Sequence, residues 1–303
     1  MKQRVLILGY GEMGHAMEYL LAARHYLRIW SLDGVKGRNS TLEDEVTWAQ
    51  VILFCVPANP HHEIASRIEP YLAEGSVCLT IAKGLDESGR TAAQVFDSVF
   101  GGKHHYGVVY GPMISEEIRM GRHAFADAVL SDAADFGVVH SLFRGSTLVC
   151  QQAMDMQGRN WSVILKNVYA IMFGASDEMK LGDNMRGHLM VAAIAELSGI
   201  AQSFGGQAHT PYSYAGLGDL VTTATSAGSH HHALGQQLVR GEWFDISGEG
   251  VHALRMVEKY HLFEWRAYPL FALVRDIVTE PETLKERVED YLKLLREMES
   301  CSI

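Results

Sequence analysis

The first half of the chain alternates short apolar runs with amphipathic stretches. The runs, most of them rich in β-branched residues, occupy positions 4–8, 27–32, 51–56, 76–82 and 106–110. Short runs of this kind are typical of strands that are buried on both faces of a parallel sheet. Because helical stretches lie between them, the pattern predicts an α/β fold with a doubly wound parallel sheet.

The second half changes to helical spacing from about residue 151. Positions 161–175 predict a helix that is apolar on almost every side, and positions 185–201 predict another that is rich in small residues. We therefore predict two domains, an α/β domain over residues 1–150 and an all-α domain over residues 151–303.

A glycine motif joins the first predicted strand to the first predicted helix. Gly9, Gly11 and Gly14 form a G-x-G-x-x-G pattern, and an amphipathic stretch from residue 15 to about residue 24 follows. In this pattern the first glycine makes a tight turn, the second lets a pyrophosphate approach the backbone, and the third allows close packing of helix and strand. A glycine-rich turn without a ligand is the alternative. The position of the glycine motif between a predicted strand and a predicted helix favours a Rossmann-type dinucleotide-binding domain.

Residues at the predicted strand ends could complete such a site. Asp33 stands 19 residues after Gly14, near the spacing of the acid that binds the ribose 2′-hydroxyl, which favours NAD over NADP. A loop aspartate or a helix cap is the alternative for Asp33. Pro57 and Lys83 follow two further strands, at the edge of the sheet where ligands bind. A solvated loop lysine is the alternative for Lys83.

Lys166 lies inside the most apolar predicted helix. A lysine is almost never fully buried without a partner, and burial lowers its pKa because it disfavours the charged form. A buried lysine is therefore a candidate general acid or base. The alternative is a lysine at the helix edge whose stem reaches water.

Charge and composition exclude several classes of binding partner and site. The net charge of −10, counted with neutral histidines, argues against a nucleic acid or an anionic membrane as partner. The four cysteines form no C-x-x-C pair, which fits a reducing cytoplasm. No apolar run approaches the roughly 20 residues that a membrane span needs. The three consecutive histidines at 230–232 diverge on a helix, so we expect no metal site there.

Short blocks in a fixed order occur along most of the chain. They are G-Y-G-E-M-G at 9–14, A-K-G at 82–84, G-P-M-I-S-E-E at 111–117, D-M-Q-G at 155–158, L-K-N at 165–167, G-D-N at 182–184, A-E-L at 195–197, G-L-G-D-L at 216–220 and E-G-V at 249–251. In these blocks the chain resembles the NAD(P)-dependent glycerol-3-phosphate dehydrogenases. The resemblance implies a Rossmann domain followed by an all-helical domain, in a homodimer that uses NAD or NADP to reduce dihydroxyacetone phosphate or to catalyse the reverse reaction.

The resemblance also implies roles for individual residues. Lys166 is similar to the family's proton-transfer lysine, Lys83 to its second active-site lysine, and Asp219 to a residue that could orient Lys166. Chemistry supports this allocation, since hydride transfer to a ketone leaves charge on oxygen that an ammonium group can stabilise and protonate. The substrate-binding residues that we predict are Asn167, Thr223, Ser229, His230 and His231. The cofactor-binding residues that we predict are Gly9, Gly11, Glu12, Met13, Gly14, Asp33, Pro57 and Glu249.

The chain departs from the family pattern where the substrate phosphate would bind. The family's S-R-N, whose arginine holds the phosphate, is replaced here by Ser229-His230-His231. A second family arginine is lost in the block at 191–196, although Arg186 retains some positive charge nearby, and the stretch from residue 33 to residue 51 is short. Glycerol 3-phosphate is the first candidate substrate. A related β-hydroxyacid or polyol derivative remains an alternative, as does a dinucleotide-binding homologue without activity.

Overall fold

An eight-stranded sheet forms the first half of the described chain. The computed structural model describes residues 2–32, 34–35, 40–226 and 228–300. The strands lie in the order β3-β2-β1-β4-β5-β6-β7-β8. Their bounds are β1 Arg4–Leu8, β2 Tyr26–Ser31, β3 Gly34–Val35, β4 Val51–Phe54, β5 Val77–Thr80, β6 His105–Tyr110, β7 Ala124–Leu130 and β8 Leu148–Ala153.

The five strands that the apolar runs predicted are all present and mutually parallel. Strands β2, β1, β4, β5 and β6 pair in that order, and apart from the exposed Arg4 the residues of β1, β4 and β5 are almost completely buried. The helices of this half are α1 Glu12–Leu21, α2 Leu42–Trp48, α3 His61–Ile68, α4 Ala92–Phe100, α5 Ser115–Arg119 and α6 Phe136–Phe143. Helix α1 begins earlier than predicted because Gly11 is already its N-cap, so the glycine motif itself forms the first turn. The doubly wound prediction is confirmed.

The sheet is not parallel throughout. Strand β7 runs antiparallel to β6, β8 then runs parallel to β7, and β3 runs antiparallel to β2. The apolar pattern did not reveal β7 and β8. Strand β7 is rich in alanine, which has a low strand propensity, and half of the residues of β8 are exposed at the edge of the sheet.

Helices make up the rest of the described chain. They are α7 Met156–Glu178, α8 Asp183–Ser203, α9 Asp219–Thr225, α10 His230–Arg240, α11 Glu249–Tyr260, α12 Pro269–Thr279 and α13 Leu284–Ser300. Helix α7 begins at an aspartate cap, since the Asp155 carboxylate accepts the Gly158 N–H at 2.9 Å. Most of α7 is buried, as its apolar pattern predicted. The division into domains at residue 150 remains a prediction; strand β8 continues to Ala153.

Helices α7 and α10 touch along their backbones. A Cβ atom on Gly174 of α7 would stand 1.8 Å from the His232 carbonyl oxygen, and one on Gly235 of α10 would stand 1.9 Å from the Ile171 carbonyl oxygen. Only glycine permits so close an approach of two helices. This crossing fixes the N-terminal end of α10 relative to α7.

Three further observations bear on the sequence predictions. Cys55, Cys78 and Cys150 are free thiols. Among the described residues, no helix combines the length and the apolar character that crossing a membrane requires. The same residues contain no group of three or more histidine, cysteine, aspartate or glutamate side chains arranged to hold a metal ion.

Candidate active site

The turn after β1 is shaped to accept a phosphate group. Gly9 has a φ angle of +96°, which a residue with a side chain rarely adopts. A Cβ atom on Gly14 would lie 2.3 Å from the Gly9 carbonyl oxygen, whereas one on Gly11 would meet nothing within 4 Å. No side chain caps α1, so its first N–H groups remain available to a ligand. These features fit the pyrophosphate of a dinucleotide.

A cavity of about 370 Å³, the cofactor cavity, opens beside this turn. It brings together five of the predicted cofactor-binding residues, with Gly9 and Gly14 shaping the turn behind them. Its lining comprises Gly11, Glu12, Met13, Cys55, Val56, Pro57, Ile81, Ala82, Lys83, Met113 and Glu249. Asp33 lies outside the described residues, so the NAD preference that it indicates remains a prediction.

A second cavity of about 480 Å³, the substrate cavity, lies between the sheet and the helices. Lys83, Met113 and Glu249 line both cavities, so the two meet at these residues. The predicted catalytic residues Lys166 and Asp219 also line it. So do all five predicted substrate-binding residues.

Lys166 is buried on α7, with only 5% of its surface exposed. Its Nζ lies 3.0 Å from Oδ1 of Asp219 and donates a hydrogen bond to Thr223 Oγ1 at 2.5 Å. The alternative in which Lys166 lies at the helix edge and its side chain reaches water is therefore wrong. The ammonium group instead ends at the substrate cavity, held by a carboxylate and a hydroxyl.

Asp219 holds a second lysine as well. Lys83 Nζ lies 2.6 Å from Oδ2 of Asp219 and also donates to the Gly111 carbonyl oxygen at 2.9 Å. The glycine-rich block at 214–218 forms a single π-helical turn that leads directly into α9, whose first residue is Asp219. One buried carboxylate thus joins a lysine of the sheet half to a lysine of the helical half.

Burial sets the proton affinity of Lys166. Removal from water lowers the pKa of its ammonium group to about 8, and the positive charge of Lys83 acts in the same direction. The Asp219 carboxylate opposes both effects and raises the pKa. The result is an amine that can both lose and regain a proton near neutral pH.

Glu249 forms the wall where the two cavities meet. It is the first residue of α11, and its carboxylate accepts a hydrogen bond from the Asn167 amide at 3.0 Å. Burial raises the pKa of Glu249, whereas the lysines Lys166 and Lys83 lower it. The sequence predicts a cofactor-binding role for Glu249, but this residue also contacts a predicted substrate-binding residue, Asn167, and lines both cavities.

The three consecutive histidines have different partners, although His230 and His231 both line the substrate cavity. His230 is exposed and lines the substrate cavity, whereas His232 contacts Asp177 at 2.8 Å. His231 accepts the Gly250 N–H at 3.1 Å, and burial lowers its pKa to about 4. Ser229 caps α10 by accepting the His232 N–H at 3.3 Å.

Arg186 does not supply the positive charge that the sequence suggested. Its guanidinium contacts Asp177 at 2.7 Å and Asp183 at 2.8 Å. Arg186 is absent from the lining of the substrate cavity. Two carboxylates therefore neutralise the charge of Arg186, and its guanidinium does not face the substrate cavity.

Sequence reasoning missed one wall of the substrate cavity. The segment around α5 contributes six lining residues, which are Met113, Ile114, Glu116, Glu117, Met120 and Arg122. Part of this segment belongs to the conspicuous block at 111–117, which follows a buried strand. Its place at a strand end was the available signal, although no role had been assigned to its side chains.

The glycine turn, the cavity beside it and the two lysines where the cavities meet define a dinucleotide-dependent dehydrogenase. The model of the NAD-dependent glycerol-3-phosphate dehydrogenase N-terminus matches residues 21–134, and that of the C-terminus matches residues 155–289. The chain belongs to the NAD-dependent glycerol-3-phosphate dehydrogenase family.

Individual relatives agree with this assignment. The chain is 30% identical to glycerol-3-phosphate dehydrogenase [NAD(P)+] of Agrobacterium fabrum, over 82% of this chain and 83% of the relative. It is 28% identical to the enzyme of that name from Synechocystis, over 96% and 94% of the two chains. The crystal structure of glycerol-3-phosphate dehydrogenase from Coxiella burnetii shares the fold, with a TM-score of 0.82, 24% identity and coverage of 96% and 99%.

Proposed function

We propose that this chain interconverts dihydroxyacetone phosphate and glycerol 3-phosphate with NAD or NADP. The observation that carries the proposal is the pair Lys166 and Lys83, which share the Asp219 carboxylate where the cofactor and substrate cavities meet. The family assignment and the glycine turn support the same chemistry.

A nicotinamide cofactor bound along the glycine turn would supply or accept the hydride. Lys166 Nζ then gives a proton to the carbonyl oxygen during reduction and takes it back during oxidation. Lys83 adds positive charge beside the developing alkoxide, which stabilises it. Asp219 keeps both ammonium groups in place, since one of its oxygens contacts each.

The remaining predicted residues have positioning and binding roles. Thr223 fixes Lys166 by accepting its hydrogen bond, and Asn167 is itself held by Glu249. Ser229, His230 and His231 line the part of the substrate cavity contributed by α10. We assign this part to the phosphate end of the substrate, because it replaces the family's S-R-N block.

A homodimer in the cytoplasm completes the proposal. The family resemblance supports both expectations. Light scattering coupled to gel filtration tests the assembly, with an expected mass of twice the 33.6 kDa chain. A mass of one chain at micromolar concentration would contradict the dimer.

Oxidation of NADH and NADPH with two ketones tests the activity. We expect turnover of dihydroxyacetone phosphate and much slower turnover of unphosphorylated dihydroxyacetone. Equal rates on both would refute phosphate recognition and favour a polyol dehydrogenase. Cofactor binding without turnover of either ketone, or of glycerol 3-phosphate in reverse, would indicate a homologue without activity.

A further inference from the structure

The phosphate end of the substrate cavity needs a cation, because His230 stands in this chain where the family pattern has a phosphate-binding arginine. A phosphate group is bound most strongly by charge-assisted hydrogen bonds, often two from one arginine. The ammonium groups of Lys166 and Lys83 both form ion pairs with the Asp219 carboxylate. His231 is neutral at pH 7 because burial lowers its pKa to about 4, and the imidazole of His230 offers at most two N–H donors.

Arg122 is the arginine among the described residues that line this cavity. It follows α5, and its backbone N–H donates to the Glu117 carbonyl oxygen at 2.9 Å, which fixes where the side chain starts. The cavity wall formed by the α5 segment includes Arg122, and the wall formed around α10 includes Ser229 and His230. Both walls therefore border the space that a substrate would occupy.

The present partner of Arg122 can be exchanged. Its Nη1 lies 2.8 Å from Oε1 of Glu117, and 61% of the arginine side chain and 44% of the glutamate side chain are exposed. An exposed ion pair of this kind contributes little to stability, since water solvates both groups well. A doubly charged phosphate offers the same guanidinium a stronger, bidentate partner.

We propose that Arg122 binds the phosphate of the substrate and replaces the family arginine that His230 has displaced. Glu117 competes with the phosphate for the guanidinium and so weakens substrate binding. Arg122 is thus a specificity-determining residue whose charge comes from the sheet half, whereas the family arginine belongs to the block at the start of α10. The inference rests on the proposed function, because it takes the substrate to be phosphorylated.

Kinetics of the Arg122→Ala enzyme test the proposal. We expect KM for dihydroxyacetone phosphate to rise about tenfold to a hundredfold. The same variant should change kcat by less than about twofold and leave KM for dihydroxyacetone unchanged, because Lys166 is untouched. Glu117→Gln should lower KM for dihydroxyacetone phosphate about twofold to fivefold, since it frees the guanidinium.

Arg67→Ala is the matched control. Arg67 also forms an exposed pair with a glutamate, Glu43, at 2.8 Å, but lines neither cavity. Its kinetic constants should equal those of the unaltered enzyme. An unchanged KM in Arg122→Ala, or an equal rise for both ketones, would overturn the proposal; so would a KM that rises only in His230→Ala.

Calorimetry with inorganic phosphate separates this inference from the proposed function. Phosphate should bind the NADH-loaded enzyme, and Arg122→Ala should weaken that binding by the same factor as it raises KM. If phosphate binding depends on Arg122 while dihydroxyacetone phosphate is not turned over, the proposed reaction fails and the anion site stands. If phosphate binds equally well to the unaltered enzyme and to Arg122→Ala, Arg122 does not bind the phosphate.

Discussion

The substrate cavity has two ends that are built in opposite ways. At one end Lys166 and Asp219 are almost fully buried. Two short contacts join the two lysines to the carboxylate, and a third joins Lys166 to Thr223. At the other end Arg122 and His230 are exposed, and the side chain of Arg122 pairs with an exposed glutamate, Glu117. Groups that perform a reaction need fixed positions and shifted pKa values, which burial provides. Groups that recognise a substituent can be exchanged more freely, because little of the packing depends on them.

Of the substitutions considered, Lys166→Met at the buried end of the substrate cavity should reduce activity the most. Methionine keeps the length and apolar stem of lysine but cannot carry a proton. We expect kcat for ketone reduction to fall by about 10²–10⁴. The affinity for NADH, measured by fluorescence titration, should stay within about twofold. Lys293→Met on α13, where the lysine side chain is 63% exposed, is the control. Near-normal turnover in Lys166→Met would mean that another group moves the proton.

Asp219→Asn removes the carboxylate that the two lysines share. We expect kcat to fall about a hundredfold and the free energy of unfolding to fall by about 3 kcal/mol, because two partly buried ammonium groups lose their partner. Urea unfolding measures the second effect. Adding Lys83→Met should restore part of the stability, since it relieves the repulsion. Asp183→Asn is the exposed control, and an equal loss there would show that the shared contact is unimportant.

The pH dependence of the rate tests the proton transfer that we assign to Lys166 at the buried end of the substrate cavity. Lys166 must be protonated to reduce a ketone, and its pKa is lowered to about 8. The rate of reduction should therefore fall about tenfold between pH 7 and pH 9, and the rate of alcohol oxidation should rise over the same interval. Because Asp219 raises this pKa, Asp219→Asn should move both profiles to lower pH. A flat profile up to pH 9.5 would contradict the assignment.

His230→Arg alters the exposed end and should have the smallest effect. It returns to α10 a fixed positive charge with a planar set of donors. We expect KM for dihydroxyacetone phosphate to fall about threefold to tenfold with kcat unchanged, as steady-state assays would show. Together with Arg122→Ala it should recover most of the affinity lost in that variant. A fall in kcat instead would mean that the two ends are not independent.

Local pattern predicted the parts of the site that depend on local structure. The glycine turn, the parallel strands and the burial of Lys166 all follow from short stretches of sequence. The pattern did not reveal that Lys83 and Lys166 meet on one carboxylate, since Lys83 and Asp219 are 136 residues apart in the chain. It also missed Arg122, because an exposed arginine after a short helix has no periodic signal. Strands β7 and β8 were also missed, because alanine-rich β7 has low strand propensity and β8 has several exposed positions.

The backbone contact between α7 and α10 has a further consequence. Because Gly174 and Gly235 let these helices meet without side chains between them, Lys166 and the start of α10 belong to one rigid frame. The distance from Lys166 to the part of the substrate cavity that α10 contributes is then set by the helix crossing. A substitution at position 230 can therefore change the groups that face the substrate while the start of α10 stays in place relative to Lys166.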